Sequence, residues 1–192
     1  MKETNIFAVI LFSSHLAVTE CDWNVLSLTY GIRKFLGTPL PIWTTNITED
    51  KVGKPRCEAD VLLTISKTQI TYKHLCYEKG QKKSARITGT FDASKRNRLL
   101  IHVKDLNYTI CEDMVYLNWI HKCAVFMVTA PCPGRWRTFD VRVWNSSIQS
   151  HHLGDCIRKL KKVQPRGRGI YRDDCQDIVY KNPKLPILVQ KN

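Results

Sequence analysis

Long apolar runs are scarce in this chain of 192 residues. A membrane helix needs about 20 continuous apolar residues, and the run Ile6–Phe12 falls far short of that. No C-x-x-C pair occurs, which argues against a structural zinc site, where two ligands normally sit that close. There is no G-x-S-x-G, H-E-x-x-H, P-loop or paired-carboxylate arrangement. Internal repeats and low-complexity linkers are also missing. Acidic residues are in deficit, 17 against 30 Lys and Arg, for a formal net charge of +13. Together these absences remove the membrane-spanning, zinc-module and repeat-array classes, and no motif-bearing enzyme or bound cofactor is expected.

What is present describes an exported chain. Lys2, the short apolar core Ile6–Phe12, and then Ser13, Ser14, Ala17 and Thr19 follow the pattern of a secretory signal, read here as residues 1–19. Eight cysteines follow: Cys21, Cys57, Cys76, Cys111, Cys123, Cys132, Cys156 and Cys175. An even number in an exported chain points to disulfides formed outside the cytosol. Spacing alone leaves all their pairings open. Three acceptor sequons begin at Asn46, Asn107 and Asn145. The positive charge gathers in Arg158–Arg172, which reads first as a solvated helix face and basic loop, and second as a contact for a sulfated glycan or host protein. Nucleic acid is not expected, because no stacking aromatics interleave with the charges.

The rest, 20–175 with a tail over 176–192, reads as one domain. Val25, Leu28, Ile32 and Leu36 recur at intervals of three or four, so a short helix is predicted over 22–36, ended by Gly37 and Pro39. Strand-like segments follow in series: Pro41–Thr48, Ala59–Ile65, Thr68–Tyr77, Ser84–Phe91, Arg98–Val103, Met114–Ile120, Cys123–Thr129 and Trp136–Trp144. A closing helix is predicted over Ile148–Val163. Sequential strands of similar length suit an all-β antiparallel barrel or sandwich. The terminal helix favours the barrel.

In this order and spacing, Pro41-Ile42-Trp43-Thr44-Thr45-Asn46-Ile47-Thr48, then Cys57, then Lys122-Cys123-Ala124-Val125-Phe126-Met127-Val128, then Trp144, Gly154-Asp155-Cys156-Ile157-Arg158-Lys159-Leu160 and Asp173-Asp174-Cys175 resemble the tick salivary lipocalins of the histamine-binding-protein-like branch. The resemblance implies an eight-stranded antiparallel barrel with a short N-terminal helix, a C-terminal helix packed outside, and a ligand cavity at one end. It also implies the bridges Cys57–Cys175 and Cys123–Cys156. For the other four cysteines, Cys76–Cys111 with Cys21–Cys132 is one possible assignment.

Amine-binding relatives carry Cys-Asp-aliphatic and then Glu-Leu-Trp or Glu-Leu-Tyr before the next cysteine. This chain has Ala124 after Cys123, and reads Arg142-Val143-Trp144. The frame is kept and its carboxylates are absent. Alternation places Trp136, Thr138, Asp140, Arg142 and Trp144 on one strand face. If that face is the lumen, Arg142 is poised to clamp a carboxylate, and the expected cargo is an acidic or neutral, eicosanoid-like lipid. The ligand set is then Trp43, Tyr72, Trp136, Arg142 and Trp144. Two alternatives stand: Arg142 pairs with Asp140 on its own face, or the other face points inward. A biogenic amine is the second cargo considered. A third reading is surface-mediated binding of a host protein or glycan through Arg158–Arg172 and the tail. His74, His102, His121, His151 and His152 lie in no catalytic pattern, so a monomeric container is expected and not an enzyme.

Overall fold

The computed structural model describes residues 31–48, 55–149 and 154–180. The predicted signal segment, Cys21, the start of the first helix, His151 and His152, and the end of the tail lie outside the described residues. Eight strands follow in chain order: β1 Ile42–Thr48, β2 Arg56–Ile65, β3 Gln69–Glu78, β4 Gln81–Phe91, β5 Arg98–Val103, β6 Tyr108–Asn118, β7 Cys123–Thr129 and β8 Arg137–Trp144. Each pairs antiparallel with the next, β8 pairs with β1, and β1 closes the ring on β2 through Ile42–Asp60 and Trp43–Ala59. This is a closed eight-stranded barrel. A ninth short strand, β9 Gly167–Gly169, pairs with Asn46 to Thr48 of β1 beyond its bulge, on the edge opposite β8 where the pairing with β2 has ended.

Alternation along each strand sorts side chains into two packed regions. One is the closed end of the lumen. The first helix, described over 31–36 and here α1, turns Ile32, Phe35 and Leu36 inward against Leu99, Met114, Ala124 and Phe126. The Phe35 ring lies 5.8 Å from Phe126 and 6.0 Å from Trp144, and the Trp144 indole N–H donates to the Phe35 carbonyl at 2.9 Å. Those contacts cork the barrel. Gly89 on β4 belongs to the same packing: a side chain there would run into Leu99 at 2.7 Å.

The second region lies on the outer face. Helix α2, Gly154–Val163, lays Cys156 and Leu160 against Trp43, Val125, Val141 and Val143, while Arg158, Lys159, Lys161 and Lys162 face solvent. A short helix α3, Asp177–Tyr180, adds Ile178 and Val179. Two bridges fasten this layer, Cys123–Cys156 from β7 to α2 and Cys57–Cys175 from the start of β2 to the turn before α3. In the chain-entropy model, closing loops with separations of 33 and 118 residues is worth about 4 and about 5 kcal/mol.

The third bridge corrects the possible assignment above. Cys111 bonds Cys132, not Cys76, so neither Cys76–Cys111 nor Cys21–Cys132 forms. The reason is positional. Cys111 on β6 pairs in register with Thr129, the last residue of β7, and the Cys132 amide just beyond it donates to the Thr109 carbonyl at 2.7 Å. The loop is thereby folded back over Cys111. Cys76 lies three strands away on β3, roughly 14 Å at ordinary strand spacing, beyond disulfide reach. Among the described residues Cys76 is a free thiol.

Candidate ligand site

Above the aromatic cork the lumen opens into a cavity of about 490 Å³. Its upper wall is apolar, formed by Ile87, Ile101, Val103, Ile110 and Val128. The wall is thinnest between β4 and β5, which pair only from Gly89 to Phe91. Beyond that point Arg86 and Thr88 on one side face His102 and Asp105 on the other across the cavity's flank.

The lower half is charged. β2 contributes Glu58 and Asp60, β6 contributes Glu112, and β8 contributes Asp140 and Arg142. β8 shows why: Thr138, Asp140 and Arg142 turn inward, while Val141 and Val143 join the outer core. The Trp144 face is therefore the lumenal one. The Arg142 guanidinium reaches over β7, donating from Nη1 to Glu112 Oε2 at 2.8 Å and from Nη2 to Glu112 Oε1 at 2.6 Å. Nη2 also meets Asp140 Oδ2 at 3.3 Å, and Nη1 lies 4.0 Å from Asp60 Oδ2. Beneath it the guanidinium carbon sits 4.4 Å from the centre of the Phe126 ring. Burial opposes the charge on Arg142, but Glu112, then Asp140 and Asp60, outweigh it and hold the guanidinium protonated.

His74 on β3 forms the other cationic corner, with Nδ1 2.7 Å from Asp60 Oδ1. Burial alone would lower its pKa. The bond to Asp60, one to Cys76, and the charges of Asp60 and Glu58 push it instead to about 10. Imidazolium is its form at neutral pH. The Tyr72 hydroxyl is driven well above its usual range, first by burial and then by the nearby Glu112 and Asp60 carboxylates, so it remains a neutral hydrogen-bonding group.

The five residues expected at the ligand divide accordingly. Tyr72 and Arg142 line the cavity. Trp144 lies beneath it, in the cork with Phe35 and edge-to-face with Trp119. Trp43 is a correction: it points outward, fully buried under the C-terminal segment, with its indole N–H on Asn145 Oδ1 at 2.8 Å and its ring against Tyr171. Trp136 is a second correction, because it precedes β8 and is 79% exposed. The picture of Arg142 as a free carboxylate clamp is a third. Both terminal nitrogens are already committed to Glu112 and Asp140, and the pairing with Asp140 left open above is part of that set.

Sequence reasoning missed Glu58, Asp60 and Glu112. The available signal was on β2, where Glu58 and Asp60 alternate with Ala59 and Val61. The apolar face there is the outer one, covered by the C-terminal layer, which leaves the acids to the lumen. Of the sequon asparagines, Asn107 is exposed in the β5–β6 turn. Asn145 accepts from Trp43 and Gln176, and Asn46 sits half-buried in β1 between β8 and β9.

No protein-family model matches the sequence, and no curated protein matches it either. Solved structures do match. AM182 in complex with serotonin superposes with a TM-score of 0.55 at 16% identity, covering 74% of this chain and 90% of that one. Japanin from Rhipicephalus appendiculatus, bound to cholesterol, gives 0.53 at 8% identity, covering 72% and 96%. The fold is that of the lipocalins. Apocrustacyanin C2 shares it as well, at a TM-score of 0.55 and 8% identity over 73% of this chain and 79% of the other. Identities this low speak to the lipocalin barrel itself, and this chain's contents must be argued from its own cavity.

Proposed function

We propose that this chain is an exported lipocalin that sequesters a small amphipathic amine, with the cationic end in the charged half of the cavity and the apolar body against the upper wall. The observation that carries the reading is the charge of the lower half. Four carboxyl groups, Glu58, Asp60, Glu112 and Asp140, converge there on two cations, Arg142 and His74. A partly dry acidic site strengthens attraction for an ammonium and penalises an incoming carboxylate. An acidic lipid loses the anchor that a free Arg142 would have given it. The fold neighbours lend support, since AM182 holds serotonin and Japanin holds cholesterol, so this barrel is one that encloses small molecules. Export fits the three disulfides and the absence, among the described residues, of a helix long and apolar enough to cross a membrane.

Calorimetric titration of the purified protein with serotonin, cholesterol and arachidonate tests this. Serotonin is expected to bind with one-to-one stoichiometry and to weaken in Asp60→Asn. Arachidonate binding more tightly than serotonin would overturn the reading.

A further inference from the structure

We propose that Arg142 is a built-in guest, and that its guanidinium fills a cation cage formed by Glu112, Asp140, Asp60 and the face of Phe126. Every contact it makes is one that a free organic cation would make in a receptor. Glu112 grips both terminal nitrogens in the fork geometry that guanidinium favours, at 2.8 and 2.6 Å. Asp140 closes a second side at 3.3 Å and Asp60 a third at 4.0 Å. The Phe126 ring supplies the floor at 4.4 Å, the stacking contact through which aromatic faces hold cations. Of the three guanidinium nitrogens, only Nε, the tethered one, is buried without a hydrogen-bond partner. The cage is complete around the free end of the side chain and makes no provision for the tether.

The cage is also built from separate elements. Its walls come from β2, β6, β7 and β8, and each faces the lumen for its own alternation reasons. It therefore stays behind when the guest is removed. Emptied, it would hold three carboxyl groups around an aromatic floor, an arrangement that either takes up protons or recruits a cation. Arg142 thus sets both the depth and the specificity of the cavity. While it is in place an amine ligand is held above it, nearer Glu58 and Asp60, and replacing it opens a second, deeper position for guanidinium compounds. The inference deepens the reading above but does not need the wild-type protein to bind an amine, because its readout lies in a variant.

The test is Arg142→Ala probed with ethylguanidinium, the fragment that this substitution deletes. Millimolar ethylguanidinium should raise the Tm of the variant by several degrees in a saturable manner, as expected for a ligand that binds only the folded state, and leave the wild-type Tm unmoved. Ethylurea, the neutral analogue, should do nothing, and Arg142→Ala/Glu112→Gln should lose most of the response. If Arg142→Ala does not fold unaided, refolding with and without ethylguanidinium replaces the melting curve, and recovery of soluble barrel only with the cation supports the cage. No rescue in either format, equal rescue by ethylurea, or an equal shift in the wild type would overturn the proposal. Failure of serotonin to bind the wild type would overturn the amine reading alone.

Discussion

The same strands serve two unlike regions. Outside, Trp43, Val125, Val141 and Val143 pack under α2 and α3 in an almost wholly apolar layer fastened by Cys57–Cys175 and Cys123–Cys156. Inside, one residue along in each case, Thr44, Ala124, Asp140 and Arg142 face a lumen where charges are buried against one another. The outer region gains from every apolar area removed from water. The inner one spends desolvation to hold ions and recovers much of it only through well-placed partners. Stability is thus invested on the face that touches no ligand, which leaves the lumenal face free to carry costly polar chemistry.

The contrast can be broken in order of expected effect. Removing the outer staple with Cys57→Ser/Cys175→Ser should cost about 5 kcal/mol in a denaturant titration, while ligand binding by the surviving folded fraction stays unchanged. On the inner face, Glu112→Ala should cost about 3–5 kcal/mol, because it strands a buried guanidinium. The paired change Glu112→Leu/Arg142→Met should recover part of that loss, since the stranded guanidinium is gone, while Asp140 and Asp60 lose its charge and must take up protons. An outer-face double substitution of comparable size would show no such recovery.

A third prediction concerns pH. The folded-state pKa of His74, about 10, lies above its ordinary 6.5, so its contribution is complete below pH 6.5 and is lost as the pH rises through 10. After allowance for its partial exposure, this is on the order of 2 kcal/mol. Chemical denaturation across that window should show the decline, and Asp60→Asn should flatten it. The smallest effect is expected at the exposed turn. Glycopeptide mapping of protein secreted from a eukaryotic host should find a glycan at Asn107 and none at Asn145, whose amide is engaged with Trp43 and Gln176. Thr109→Val, which removes the acceptor sequence and keeps Asn107 at its left-handed turn position, should abolish that glycan and leave the Tm nearly unchanged.

Much of the barrel is readable from residue order. Alternation identifies which side chains of Arg137–Trp144 share a face, and the structure adds that this face is the lumen and that Trp136 lies before the strand, exposed. The charged layer was hidden for a related reason. The sixth strand is predicted to begin at Met114, yet β6 starts at Tyr108 and carries Glu112 inward. A rule that assigns acids to solvent fails inside a barrel whose core is partly polar. Asp113 shows the other outcome on the same strand: it turns the opposite way and pairs with Arg98 at 2.9 Å and Lys95 at 3.1 Å. Nor does local sequence reveal that Arg142 will meet Glu112, 30 residues away across an intervening strand. Gly167–Gly169 reads as basic loop because three residues carry no periodicity, and it becomes a strand only because β1 bends at its bulge to receive it.

The reach of Arg142 across β7 has a consequence for assembly. Slippage of β8 by one residue would exchange its faces, driving Asp140 and Arg142 beneath α2 and sending Val141 and Val143 into the lumen. Slippage of β6 would withdraw Glu112 from its guanidinium. An apolar lumen would tolerate either error at modest cost, whereas this one leaves an ion stranded. The buried charges therefore act as a proofreading lock, engaging only when three neighbouring strands have all found their register.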